Sequence, residues 1–108
     1  VFSKIANMNQ VYKALADPTR RKILELLRDR DLSAGEIAAH FDLAKPTLSG
    51  HFAILKTANL IQADKVGTTI TYHLNISVLE EALLSLMNTF NLQSPRSFST
   101  GEESHEPK

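Results

Sequence analysis

The 108-residue sequence predicts a mainly α-helical fold with one β-hairpin, in the order α-α-α-α-β-β-α. Residues 33–58 read as two short helices separated by a three-residue turn, which is the pattern of a helix-turn-helix. Two alternating, β-branched segments follow directly, with a glycine between them. A strongly apolar helix comes last. Together these features predict a winged helix-turn-helix domain.

The first two helices are predicted from the residues around an Asp-Pro pair. Residues 9–16 form a short helix with apolar side chains on one side. Asp17 can cap the next helix, and Pro18 suits its first position because a backbone N–H has no helical partner there. The buried face of this second helix consists of apolar residues at helical spacing: Ile23, Leu24 and Leu27.

Two adjacent arginines at the start of the second helix are expected to differ in role. Arg20 lies three residues before Ile23, so its stem leans on the apolar face. We therefore expect Arg20 to make a structural hydrogen bond or ion pair rather than a DNA contact. Arg21 points further outward, where a phosphate is within its reach.

The helix-turn-helix is predicted by a cap and a proline. Ser33 and Glu36 have the S-x-x-E spacing of a capping box, in which each side chain accepts the backbone N–H of the other residue. Residues 42–44 suffice only for a turn, and Pro46 suits the first turn of the helix that follows. The apolar faces of the two helices are Ile37, Ala38 and Phe41, then Leu48, Phe52 and Leu55.

The second of these helices, residues 45–56, carries small and polar side chains opposite its apolar face, and we name it the reading helix. Such a helix, supported by a shorter one, is the arrangement that places side chains in the major groove of DNA. The alternative is an ordinary solvated helix face. The candidate DNA-binding residues of the reading helix are Lys45, Pro46, Thr47, Ser49, Gly50, His51 and Lys56.

The segment after the reading helix predicts a β-hairpin. Residues 61–65 and 68–74 are alternating and β-branched, and Gly67 between them indicates a tight turn. Asn59 is a candidate left-handed C-cap of the reading helix. The hairpin forms the wing, with Lys65 and Thr68 as candidate DNA contacts. The alternative is that the hairpin tip is polar only because it is exposed.

The last helix is too apolar around its circumference for the surface of a small monomer. Ser77 and Glu80 repeat the capping-box spacing and predict its start. We expect one face to pack on the domain and the other to contact a partner. The apolar residues of this helix are Val78, Leu79, Ala82, Leu83, Leu84, Leu86, Met87 and Phe90.

Composition predicts one domain over residues 9–92, an N-terminal extension over 1–8 and a disordered tail over 93–108, which is rich in Ser, Pro, Gly and Glu.

The absence of cysteine excludes disulfides and thiolate zinc sites. No apolar run approaches the ~20 residues of a membrane helix, so we expect no membrane insertion. The opening residues lack the apolar core of a signal peptide, and a cytoplasmic protein is expected.

The formal net charge of +0 argues mildly against nucleic acid, but the charge is unevenly distributed. Residues 1–74 contain ten Lys or Arg against seven Asp or Glu, a balance of +3. Residues 75–108 contain two against five, a balance of −3. A locally positive face can bind phosphates while the total is neutral.

Several segments of the sequence resemble one protein family. Residues 17–27 are similar to the second helix of ArsR/SmtB-type transcriptional repressors, and residues 45–56 are similar to their reading helix. The hairpin with Gly67 and its closing Tyr-His-Leu at 72–74 matches as well. The resemblance covers about residues 8–90. Within the family the sequence looks most like the cysteine-free autorepressors of sporulation-delay toxin-immunity operons.

This resemblance implies a homodimer that binds a pseudo-palindromic operator in double-stranded DNA, represses its own operon and blocks RNA polymerase sterically. It also implies a membrane protein that captures the repressor. In the family the first and last helices form the dimer interface. On this sequence the implied interface residues are Val11, Tyr12, Leu79, Leu83, Leu86, Met87 and Phe90.

The sequence departs from the family at the positions of metal ligands. Metal-sensing members carry cysteines in the helix that matches residues 33–41, or Asp, His and Glu ligands along the last helix. Here the last helix offers only the adjacent Glu80 and Glu81, which diverge. The histidines His40, His73 and His105 lack partners at ligand spacing. We therefore expect no metal and no other cofactor.

A second departure is Gly50, where many members carry a long polar residue. Glycine either leaves space for a thymine methyl group or a phosphate, or removes one base contact.

No nucleophile-base arrangement or phosphate-binding glycine loop supports an enzyme. The alternative functions for the same fold are a protein-interaction adapter and a sensor of an organic ligand.

Overall fold

The computed structural model describes residues 2–92, with side-chain environments from Met8 onward. Within this range the chain forms five helices and three strands. The helices are α1 (Phe2–Leu15), α2 (Pro18–Asp29), α3 (Ala34–Ala38), α4 (Lys45–Thr57) and α5 (Ile76–Thr89), and the strands are β1 (Leu32–Ser33), β2 (Ile61–Val66) and β3 (Thr69–Leu74). The predicted winged helix-turn-helix order is confirmed, with β1 as an addition.

The three strands form one antiparallel sheet in the order β1-β3-β2. Ile61 opposes Leu74 at the base of the wing, and Val66 opposes Thr69 at its tip. The two-residue loop begins with Gly67 at φ 63°, a conformation that glycine adopts without steric cost. The sequence analysis did not predict β1, in which Leu32 opposes Tyr72.

The predicted bounds of the first helix were wrong. Instead of residues 9–16, α1 spans Phe2–Leu15, so most of the predicted extension over 1–8 is helical. The predicted disordered tail over 93–108 lies outside the described residues. At the other predicted boundaries the agreement is closer, since α4 and the two wing strands each differ from the prediction by one residue.

The caps of α2 and α3 are confirmed. Asp17 Oδ2 accepts the backbone N–H of Arg20 at 3.1 Å, and Pro18 opens α2. Ser33 Oγ accepts the N–H of Glu36 at 3.1 Å, while Glu36 Oε1 accepts the N–H of Ser33 at 2.8 Å. The hydrogen bond from Ser33 lowers the pKa of the Glu36 carboxyl. A five-residue helix such as α3 depends on these caps and on its buried Ile37.

The core lies between α1, α2, α4 and the base of the wing. It includes the predicted apolar faces of α2 and of the reading helix, both buried. Asn59 follows the reading helix at φ 61°, which confirms the left-handed residue expected there. The largest fully buried side chains are Val11, Ile23, Ile37, Leu55, Leu60 and Ile61.

Helix α5 begins differently from the prediction. It starts at Ile76 with Asn75 as N-cap and no side-chain cap hydrogen bond, so the predicted capping box of Ser77 and Glu80 is wrong. The reason is that the backbone N–H of Asn75 donates to the carbonyl of Leu60. This hydrogen bond fixes the turn that precedes the helix, so the helix begins before Ser77. Only one residue of α5, Ala82, is fully buried.

Candidate nucleic-acid interface

The reading helix α4 is held by one face and leaves the other uncovered. Leu48, Phe52 and Leu55 are buried at its base. The predicted DNA contacts near its N-terminus are exposed. They are Lys45, Pro46, Thr47, Ser49 and Gly50. Lys56, one residue before the end of the helix, is exposed as well. The helix-turn-helix therefore presents hydroxyl and ammonium groups along one accessible edge.

Gly50 lies at the middle of this edge. A Cβ atom built on Gly50 would have no neighbour within 4 Å, so the fold itself does not require glycine at this position. The helix also keeps a regular backbone there. An alanine would fit here without any change in the surrounding contacts.

The wing places a second set of groups next to the reading helix. Lys65 and Thr68, the predicted wing contacts, are both exposed at the tip of the hairpin. Val66 is 78% exposed beside them. The wing is attached to the reading helix by the packing of Tyr72 on Phe52. Because that contact is buried, the tip is carried by a rigid base.

His51 has a different environment from the other predicted contacts. Its side chain is only 16% exposed, and its Nδ1 lies 3.2 Å from Nη1 of Arg20 and 3.9 Å from Oδ2 of Asp17. The sequence pattern did not indicate the contact between His51 and Arg20, because these residues are 31 positions apart. His51 thus joins the reading helix to the start of α2.

Arg20 is buried and has the structural role that was predicted for it. Its Nε donates to the carbonyl of Ala14 at 2.9 Å, and its Nη2 donates to the carbonyl of Lys13 at 3.0 Å. The guanidinium therefore closes the C-terminal end of α1, where free carbonyls carry partial negative charge. Arg21 is exposed as expected, but its Nη1 donates to the carbonyl of Leu15 at 2.7 Å.

Asp17 completes this group. Desolvation raises the pKa of its carboxyl, but the hydrogen bond from the backbone N–H of Arg20 and the charge of Arg20 act against it, and the pKa is lowered overall. The carboxylate is thus negative at neutral pH and stays so on mild acidification. It places one negative charge at the N-terminus of α2, where it is favoured.

Comparison with known proteins agrees with this geometry. Residues 17–63 match the family described as "Bacterial regulatory protein, arsR family". The chain is 48% identical over 84 residues to the transcriptional repressor SdpR of Bacillus subtilis, an alignment that covers 78% of this chain and 93% of SdpR. This protein belongs to the ArsR family.

Two further similarities extend across the fold. An arsenical resistance operon repressor of Staphylococcus aureus is 34% identical over 86 residues, covering 78% of this chain and 83% of the relative. The structure of HlyU from Vibrio cholerae matches with a TM-score of 0.63 and 31% identity, covering 79% and 92% of the two chains. This ArsR-family protein is a DNA-binding transcriptional regulator and not an enzyme, as the sequence predicted.

The histidines of this ArsR protein do not converge on a metal site in the described part of the chain. Between residues 2 and 92 no group of three His, Cys, Asp or Glu side chains is close enough to hold an ion. His73, on β3, instead contacts the neighbouring wing strand β2. Its Nε2 lies 2.9 Å from Gln62 Oε1, and its Nδ1 lies 3.6 Å from Asp64 Oδ2. His40 is exposed, and His105 lies outside the described residues.

The dimer interface implied by the family resemblance needs one correction. Val11 is fully buried inside its own subunit, so it cannot contact a partner. Leu83 and Phe90 are 49% and 65% exposed. The remaining predicted interface residues, Tyr12, Leu79, Leu86 and Met87, are half-buried.

Over the described residues, no helix is both long and apolar enough to cross a membrane.

Proposed function

We propose that this protein is a homodimeric transcriptional repressor that binds a pseudo-palindromic DNA operator without a metal. The observation that carries the proposal is the uncovered edge of the reading helix above its buried Leu48, Phe52 and Leu55. A helix anchored on one side only can enter the major groove with its other side.

The exposed groups divide by the contacts that they suit. Thr47 and Ser49 offer hydroxyls that both donate and accept, so they read bases with low discrimination. Lys45 at the helix start and Lys65 on the wing suit phosphates, which position the protein without reading sequence. The other proposed contacts are Pro46, Gly50, His51, Lys56 and Thr68.

The exposed apolar residues of α5 support the homodimer. Leu83, Leu84 and Phe90 form a large apolar surface on one helix of a small domain, and such surfaces are sites of association. A two-fold dimer through α1 and α5 sets two reading helices about 34 Å apart, which is one turn of the DNA duplex.

Repression is inferred from the relatives, which include a transcriptional repressor and an arsenical resistance operon repressor. A dimer bound across two successive grooves blocks RNA polymerase sterically. We further propose that the protein acts in the cytoplasm on its own operon. Capture of the repressor by a membrane protein stays a prediction from the resemblance.

A second candidate function is sensing of an organic ligand. A cleft of about 260 Å³ lies between the end of α1, α2 and the start of α5. Its walls are mostly apolar with three charged side chains among them, and a ligand there would lie against the helix proposed for dimerisation. The lining residues are Leu15, Leu24, Leu74, Ile76 and Leu79, with the charged Arg21, Glu25 and Arg28. A melting temperature that rises with added ligand would support this function.

The decisive experiment is selection of bound fragments from random duplex DNA by the full chain. We expect enrichment of an inverted repeat whose half-sites are about one helical turn apart, with affinity that falls steeply as salt rises. The double variant Thr47→Ala, Ser49→Ala should lose enrichment. Thr57→Ala, a matched change at the far end of the same helix, should keep it. Absence of any enriched sequence would overturn the proposal.

A further inference from the structure

The reading helix is tied to the α1–α2 junction through one side-chain pair. Nη1 of Arg20 lies 3.2 Å from Nδ1 of His51, while the rest of the guanidinium is held by the carbonyls of Lys13 and Ala14. Arg20 is buried and the His51 side chain is 16% exposed, so this contact is partly shielded from water. The position of His51 therefore depends on the end of α1.

The chemistry of this pair determines where the histidine carries its proton. A guanidinium has five N–H donors and no acceptor, and it stays charged at any physiological pH. Nδ1 of His51 must therefore be the acceptor, without a proton of its own. A ring with a bare Nδ1 is neutral and carries its hydrogen on Nε2.

We propose that Arg20 is a positioning residue for DNA binding, which holds His51 as the Nε2–H tautomer so that the ring offers DNA a donor. The proposal rests on contact between the reading helix and DNA. A donor at this place selects acceptors: a phosphate oxygen, N7 of either purine, O6 of guanine or O4 of thymine. It excludes the exocyclic amino groups of adenine and cytosine, which are donors themselves.

Asp17 supports the same arrangement without replacing Arg20. Its Oδ2 lies 3.9 Å from Nδ1 of His51, beyond hydrogen-bond distance, and it already accepts the backbone N–H of Arg20. The carboxylate thus aligns the start of α2, and the guanidinium alone reaches the ring. Arg21 bonds the neighbouring carbonyl of Leu15 and provides a matched control of equal charge.

The first test reads the tautomer in the full chain without DNA. In long-range ¹H–¹⁵N correlation spectra, the His51 signals are identified by their loss in His51→Ala. We expect the pattern of a neutral ring protonated at Nε2. In Arg20→Met this pattern should change toward a mixture of tautomers, and in Arg21→Met it should not. A ring protonated at Nδ1 in the unmodified protein would overturn the proposal.

The second test asks whether Arg20 acts on DNA through His51. With the duplex selected above, Arg20→Met should weaken binding roughly fivefold in the protein that has His51, and less than twofold in the His51→Ala background. Equal losses in both backgrounds would overturn the proposal. Arg21→Met should lose the same factor in both backgrounds.

Two features keep the tests decisive. If Arg20→Met does not fold, Arg20→Gln keeps a polar side chain but offers both a donor and an acceptor, so it should show the same change toward a mixture of tautomers. If no duplex is selected, the proposed function fails, while the spectra still decide whether Arg20 fixes the tautomer of His51.

Discussion

The rings of Phe52 and Tyr72 are stacked, with centroids 4.6 Å apart and planes inclined by 30°. Phe52 belongs to the reading helix, and Tyr72 lies on the central strand, where it opposes Leu32 on one side and Ala63 on the other. Both rings are buried. This pair therefore sets the angle between the wing and the helix proposed to enter the major groove.

Removal of this ring should destabilise the whole domain. We expect Tyr72→Ala to lower the free energy of unfolding by about 3 kcal/mol, because it deletes a buried aromatic side chain and leaves a cavity. Urea unfolding measures the loss. Tyr72→Phe keeps the ring and should lie much closer to the unmodified protein. Equal losses for the two variants would show that the hydroxyl rather than the stacked ring matters.

The cap of α3 should contribute measurably to stability. Ser33→Ala removes the side-chain acceptor for the N–H of Glu36, and we expect a loss of about 1 kcal/mol. Ser77→Ala is the matched control, since the sequence suggested the same role there but Asn75 is the N-cap. Thermal and urea unfolding compare the two. A comparable loss at Ser77 would contradict the assignment of the caps.

The same cap should make stability depend on acid. The pKa of Glu36 is lowered from its ordinary value of 4.5 in the folded state, so this carboxylate stabilises the fold above that value. That contribution is lost as the pH falls through the lowered pKa. In urea titrations from about pH 6 to about pH 3, Glu36→Gln should show a shallower decline than the unmodified protein. An unchanged slope would contradict the prediction.

Gly50 allows stability and binding to be separated. Gly50→Ala meets no atom within 4 Å and replaces a glycine in the middle of a helix, so the protein should become more stable by about 1 kcal/mol. Binding to the selected duplex is measured on the same variant. A loss of affinity would mean that DNA occupies the open space, and unchanged affinity would mean that it does not. A destabilised variant would contradict the geometry.

The exposed apolar residues of α5 should control the oligomeric state. The double variant Leu83→Glu, Phe90→Glu introduces charge into the proposed interface, where it has no partner, and should sediment as a monomer. Val66→Glu, a similar change at an exposed residue of the wing, should leave the dimer intact. If the double variant still sediments as a dimer, the interface lies elsewhere.

The features that the sequence predicts best are local ones. The caps at Asp17 and Ser33 involve partners three residues away, and the turn at Gly67 depends on two residues, so short patterns suffice. Strand β1 has only two residues and exists because β3 comes alongside it. No periodicity can show in so short a segment.

The side-chain environments that were mispredicted depend on the packing of distant segments. Val11 belongs to the apolar side of α1, and helical spacing alone does not decide whether that side faces the core or a partner. His51 lies on the polar side of its helix, yet Arg20 arrives from 31 residues away and draws it inward. Thr47 and Ser49 are exposed on the same helix, and their role as DNA contacts stays a prediction.

The two-residue strand β1 has a mechanical consequence. By pairing Leu32 and Ser33 with Tyr72 and Thr71, it fastens the beginning of α3 to the wing. The beginning of α3 and, through Phe52, the reading helix are then both attached to the central strand of the wing. An additional base pair between two half-sites rotates one of them by about 35° around the duplex axis. A subunit fastened in this way cannot take up that rotation internally, so the rotation would fall on the contact between two subunits or on the DNA.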